Sequence, residues 1–208
     1  MIGDDEDKTL EVLNPPQLHL MTGVLGKLIM EMEKITGEIF VSSFLRTKDI
    51  SRCVYQGSRS FEGNQARKLL KSVDKLEREV MKLKTETCIE VLPYIETLRS
   101  FDRVVSSCFS QSLDPGYERN IETFSTKYRS LGISVTPKVH IVESHVSEFL
   151  KLKGEIAGLG FWSEQAMEAG HHDFKIEWEK VKVSANHAEY GERMFQTVVR
   201  YAGKHLKL

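Results

Sequence analysis

One apolar stripe near the start of this chain limits its fold more than any other feature. Leu18, Met21, Leu25, Leu28, Ile29, Met32 and Ile35 recur at steps of three and four residues. A helix brings such positions onto one face, because about 3.6 residues complete a turn, whereas a strand would need alternation. The stripe predicts a helix of about five turns that starts after Asn14-Pro15-Pro16 and stops at Gly37. A face this apolar must be covered, so the rest of the chain has to supply partners for it.

The rest reads as helices too. Phe40, Phe44 and Leu45 suggest a short second helix, and residues 51–60 look irregular. Helical spacing returns at Glu62–Leu70, and Ser72 is placed to cap the next helix. Thr87 to Cys108 is strongly helical, begun or interrupted at Pro93. Asp114-Pro115-Gly116 is a turn in which glycine would take a left-handed angle. Residues 117–130 form an amphipathic helix, and Thr136 caps another that Pro137 opens and that runs to 152. Glycines crowd the loop 154–160, Ser163 is placed to cap a long helix, and a last helix covers roughly 186–206. The expected fold class is mainly α with little or no sheet. Residues 1–13 read as a disordered acidic leader and 14–208 as a single helical domain. At 208 residues, a chain can hide roughly 70% of its unfolded surface.

Composition narrows the function classes. Net charge is -1, so contact with nucleic acid would have to come from local patches. No apolar run is long enough to span a bilayer, so no membrane partner is expected. The opening MIGDDEDK is too acidic and polar for a signal peptide. Cys53, Cys88 and Cys108 are odd in number and contain no C-x-x-C pair. They read as reduced thiols of an intracellular protein, and a zinc knot of cysteines alone is excluded.

Two stretches could carry chemistry. His140 and His145 form an H-x4-H pair, a spacing found in two-histidine zinc half-sites. On a regular helix the rings would stand about 140° apart, so both reach one metal only if a helix starts between them or is distorted there. The plain alternative is one packed and one solvated histidine. Farther on, Glu164, Glu168 and His171 or His172 fall on one helical face beside the glycine-rich loop. Such carboxylates could hold Mg²⁺ for phosphoryl transfer, or could simply favour the start of a helix. The basic residues from Arg67 to Lys84 are interleaved with acids, as on an ordinary exposed face.

Three motifs, in this order, carry a family resemblance. Phe61-Glu62-Gly63-Asn64-Gln65-Ala66-Arg67-Lys68-Leu69-Leu70 is similar to a family segment N-G-N-x-A-R-K-L. His140-x4-His145-Val146-Ser147-Glu148 is similar to H-x4-H-V-P-E. Gly158-Leu159-Gly160-Phe161-Trp162-Ser163-Glu164-Gln165-Ala166-Met167-Glu168 is similar to G-x-W-x-S-E-G-N-E. Over about residues 16–185 the chain resembles the carboxy-terminal part of the recombination-activating (RAG-like) recombinase and its transposase relatives.

The resemblance implies a helical region corresponding to the helical insertion and last helices of an RNase H-like transposase, with the central sheet largely absent. It implies that Glu164 corresponds to the third catalytic carboxylate and that His140 and His145 correspond to two structural zinc ligands. Glu168, His171 and His172 are further candidates for the site. Asn64, Arg67 and Lys68 are candidates for DNA contact. In the family, two more catalytic acids and a C-x-x-C zinc pair precede the aligned region, and no residue here matches them. Gln165 and Ala166 stand where the family often has glycine and asparagine. DNA cleavage and strand transfer are therefore expected only with a partner that supplies the missing transposase core; DNA and a further copy of the chain are the other candidate partners. Mg²⁺ or Mn²⁺ is expected only in a complete transposase, and nuclear residence follows from the resemblance alone. The alternative is a domesticated helical module that binds protein or DNA without catalysis.

Overall fold

In a computed structural model of the chain, residues 15–55, 58–162, 174–184 and 186–206 are described. The acidic leader and the expected cap at Ser163 lie outside them. The chain groups into two compact units, Met1–Ser163 and Glu164–Leu208.

The first unit is built around α1 (Gln17–Thr36). Leu20, Met21, Val24, Leu25, Leu28, Ile29 and Met32 of the predicted stripe and its flanks are fully buried. Gly37 ends α1 with φ of 82°, a left-handed angle that costs glycine little, and its N–H closes the last turn onto the Glu33 carbonyl. Next come α2 (Glu38–Thr47), α3 (Gly63–Leu70), α4 (Val73–Val80), α5 (Thr85–Cys108) and α6 (Tyr117–Ser130). Helices α2, α3 and α5 all pack on α1, and α5 and α6 form an antiparallel pair.

Aromatic rings fill the space between that pair. Phe101 lies 5.0 Å from Phe124 and 6.2 Å from Phe109, and Phe124 lies 5.8 Å from Tyr128, all tilted or edge-on as ring quadrupoles prefer. The Tyr128 hydroxyl is not stranded in this core, because it donates to the Ser134 carbonyl at 3.0 Å.

Several local expectations change. Residues 51–60 hold a small antiparallel hairpin, β1 (Cys53–Tyr55) and β2 (Ser58–Ser60), with Cys53 opposite Ser60. Strands of three residues are too short for period-two alternation to show. Pro93 lies inside α5 and neither starts nor stops it. Pro93 and Ile89, whose carbonyl loses its usual donor, are both exposed, so water can replace the missing bond. Ser72 does not cap α4; its hydroxyl donates back to the Lys68 carbonyl at 2.8 Å. Gly116 is not left-handed, with φ of -86°; the turn is held instead by its N–H donating to Asp114 Oδ1 at 2.6 Å. Cys53 is exposed, Cys88 and Cys108 are buried, and all three are free thiols.

In the second unit, a helical stretch over 174–179 accompanies α10 (Tyr190–Leu206). Phe174 meets Tyr201 edge-on at 5.8 Å, and Trp178 meets Tyr190 at 5.5 Å. No described helix is long and apolar enough to cross a membrane.

Candidate metal site

The two histidines stand on a helix with an unusual middle. Thr136 accepts from the Val139 N–H at 3.3 Å and Pro137 occupies the first turn, as the sequence predicts, so α7 (Pro137–His140) starts cleanly. From Ile141 to His145 the backbone widens into a π-turn, in which the Val146 N–H donates five residues back to the Ile141 carbonyl. The helix then resumes as α8 (Val146–Leu152). Val139, Val142, Val146 and Phe149 stay buried throughout, so the wider turn does not cost the core its apolar face.

The widening decides where the rings go. In an i→i+5 turn, positions five apart stand over one another as positions four apart do in an α-helix. The His140 and His145 rings accordingly meet, with centroids 5.1 Å apart and planes at 88°. Two imidazoles on one tetrahedral zinc, with Zn–N of about 2.0–2.1 Å, have centroids roughly 5 Å apart. The donor chemistry therefore fits half of a zinc site.

Each ring also has a partner for its other nitrogen. His145 Nδ1 lies 3.1 Å from Glu148 Oε2, and His140 Nδ1 lies 3.4 Å from Ser144 Oγ. A carboxylate on Nδ1 favours the tautomer whose Nε2 lone pair is free, as around histidine ligands of metals. The turn is itself tied down. The Glu143 side chain, only 3% exposed, accepts from Ser125 Oγ at 2.9 Å and from Arg129 Nη2 at 2.7 Å. Sequence reading missed Glu143, Ser125 and Arg129; their residue types are ordinary, and only the fold brings α6 alongside the turn. Glu148 lay inside the quoted motif, three residues after His145, a spacing that places side chains side by side.

Among the described residues, no group of three or more histidines, cysteines and carboxylates converges on a metal position. Glu164, Glu168, His171 and His172 lie outside the described residues.

The glycine-rich loop packs closely onto the chain that follows α5. Gly158 and Gly160, before and inside α9 (Leu159–Trp162), press on the chain just after α5. Their N–H groups donate to the Gln111 and Ser110 carbonyls at 2.9 and 3.0 Å. A Cβ on Gly158 would stand 2.3 Å from the Ser110 oxygen, and one on Gly160 would stand 2.8 Å from the Ser110 carbonyl carbon. The glycine spacing thus reflects close backbone approach. Tyr117 holds the loop from the other side by donating to Glu155 Oε1 at 2.6 Å. Burial first, and then that bond, push the Tyr117 hydroxyl above the usual tyrosine range.

The DNA-contact candidates sit on or beside the first turns of α3. Asn64 is exposed and its Oδ1 accepts from the Gln65 N–H, while Arg67 and Lys68 are half-buried. The Lys68 ammonium is engaged with Asp49, at 2.6 Å from its carbonyl and 2.8 Å from its carboxylate. That contact draws the Asp49 carboxyl below its usual range, through the hydrogen bond first and the charge second.

No protein-family model matches this chain. Neither a curated protein nor a solved structure matches it. The three motifs therefore rest on their own residues alone.

Proposed function

We propose that this chain is the carboxy-terminal helical part of a RAG-like DNA transposase and contributes two histidine ligands to a structural zinc site. The observation that carries this reading is the π-turn. An H-x4-H pair on a regular helix diverges, and here the backbone departs from the α-helix over Ile141–His145, where both rings must be brought together. A π-turn inside an α-helix is rare and is frequently found at functional sites.

On this reading His140 and His145 hold the metal, Glu148 orients His145, and the Glu143 tether keeps the wide turn in shape. Zinc, when bound, would fasten this helix to whatever supplies the remaining ligands, and would do no chemistry on DNA. Glu164 would be one of three carboxylates of a transposase active site. Because the other two have no match in this chain, strand cleavage would require a partner that carries them. A helical module without catalysis would use the same fold, and Glu164→Ala separates the two readings, since only the module keeps its cellular role.

The test is zinc uptake from a micromolar supply, measured by equilibrium dialysis on the whole chain and on His140→Ala and His145→Ala variants. Uptake by the whole chain that falls sharply in each variant, with helicity retained, is the expected result, since two ligands alone release the metal once the supply is removed. Uptake by the whole chain no greater than by the variants would overturn the reading.

A further inference from the structure

A second feature lies on the opposite side of α1's core stripe. A cleft of about 540 Å³ opens between the outer face of α1, the β1–β2 hairpin and the start of α7. Its floor is the outer face of α1, open at Gly26 and crossed at Gly23 by the Lys138 stem, and Met30 lies exposed at its edge. Four cations line it, Lys27, Arg52, Arg59 and Lys138, against one carboxylate, Glu33. A neighbouring cleft of about 310 Å³ adds Arg46 and adjoins the first at Arg52, so the two are taken together as one track.

The charges along this track do not cancel. Lys27 and Lys34 share Glu31, Arg52 lies 2.7 Å from Glu33 in an ion pair that is not a well-directed hydrogen bond, and Arg59 pairs with Glu38. Lining the two clefts, five cations, Lys27, Arg46, Arg52, Arg59 and Lys138, stand against two carboxylates, Glu33 and Asp49. Asp49 is itself held by Lys68. Arg46 and Lys138 are exposed, and no carboxylate among the described residues pairs with either. They stand one in each cleft, with the nearly buried Arg52 shared between them.

A chain with net charge -1 has no reason from bulk electrostatics to gather such a surplus along one groove. Phosphodiesters are the anions that need repeated cations along a line, and lysine and arginine meet them without regard to base sequence. The Lys138 stem lies across Gly23, where a Cβ would come within 2.0 Å of its Cδ.

We propose that this track binds a DNA backbone, with Arg46 and Lys138 as its free phosphate contacts and Arg52 held ready between them. The proposal deepens the transposase reading, on which it rests for the choice of DNA as the polyanion.

The experiment is fluorescence anisotropy with a labelled duplex of arbitrary sequence and a single strand of the same length, titrated with the whole chain at several salt concentrations. The expected result is affinity that falls with salt for both probes. Lys138→Ala and Arg46→Ala should each weaken binding roughly threefold to tenfold and lower the salt slope by about one. Lys138→Arg should bind as the unaltered chain does. Gly26→Leu adds a side chain where nothing lies within 4 Å, so the helix tolerates it while the groove is filled; it should lose most of the affinity. Absence of salt-dependent binding by the unaltered chain, or unchanged slopes in both alanine variants, overturns the proposal. Zinc uptake, read on the same samples, distinguishes the two failures: lost DNA binding with intact uptake sinks the track alone, and absent uptake sinks the wider reading.

Discussion

Single side chains set the acid response of the core helix. Glu31 lies on α1 with its side chain 11% exposed, bonded to Lys27 at 2.7 Å and to Lys34 at 2.8 Å. The Lys27 bond foremost, then the Lys34 bond, holds its carboxyl below the usual range against the opposing effect of burial. A carboxylate whose pKa is lower in the folded chain adds stability above the unfolded value, and that stability is lost as pH falls through the folded value. Glu31→Gln should therefore cost roughly 1–3 kcal/mol at pH 7. The cost should shrink once pH drops below about 4.3. Urea unfolding at pH 7 and at pH 3 measures it; a cost equal at both would show that shape, not charge, holds Glu31. Residue types alone were a poor guide at this scale. Thr136 caps as expected because Pro137 follows it and forces the chain into the helical turn. Ser72 has no such constraint, and its hydroxyl turns to the nearer Lys68 carbonyl instead.

Helices were legible wherever an apolar stripe ran long enough, as in α1 and α6, because burial rewards only the period that puts the stripe on one face. The π-turn was legible only through its consequence. Apolar spacing across 139–150 suits an ordinary α-helix, and the five-residue step between the histidines was the one sign that a distortion would be useful. The hairpin left no sign at all. The glycine loop belongs with the elements it joins, since its glycines make room for backbone at the end of α5. Gly158→Ala should destabilise the first unit by about 1–3 kcal/mol, through overpacking against the Ser110 carbonyl. Gly26→Ala, on the open face of α1, should instead stabilise it by roughly 0.5–1 kcal/mol. Thermal melts of the two variants, side by side, check both signs; a neutral Gly158→Ala would mean the loop can lift away.

For the molecule as a whole, the mainly helical class was readable from periodicity, while the site was readable only in part. His140 and His145 come together, and Glu164, Glu168, His171 and His172 lie in the stretch outside the described residues. The basic track escaped sequence reading because its cations come from α1, α2, the hairpin and α7, far apart in the chain and each unremarkable alone. One short element joins the two proposed sites. Lys138, which reaches over α1 into the cleft, and His140, which begins the ring pair, are two positions apart on the four residues of α7. Any ordering of that turn by one ligand is ordering the other no longer has to supply. Zinc and DNA would then be thermodynamically linked: whatever factor zinc adds to DNA affinity, DNA must add to zinc affinity. A factor of one, found in both directions on one preparation, would mean that four residues can hold two ligands without either sensing the other.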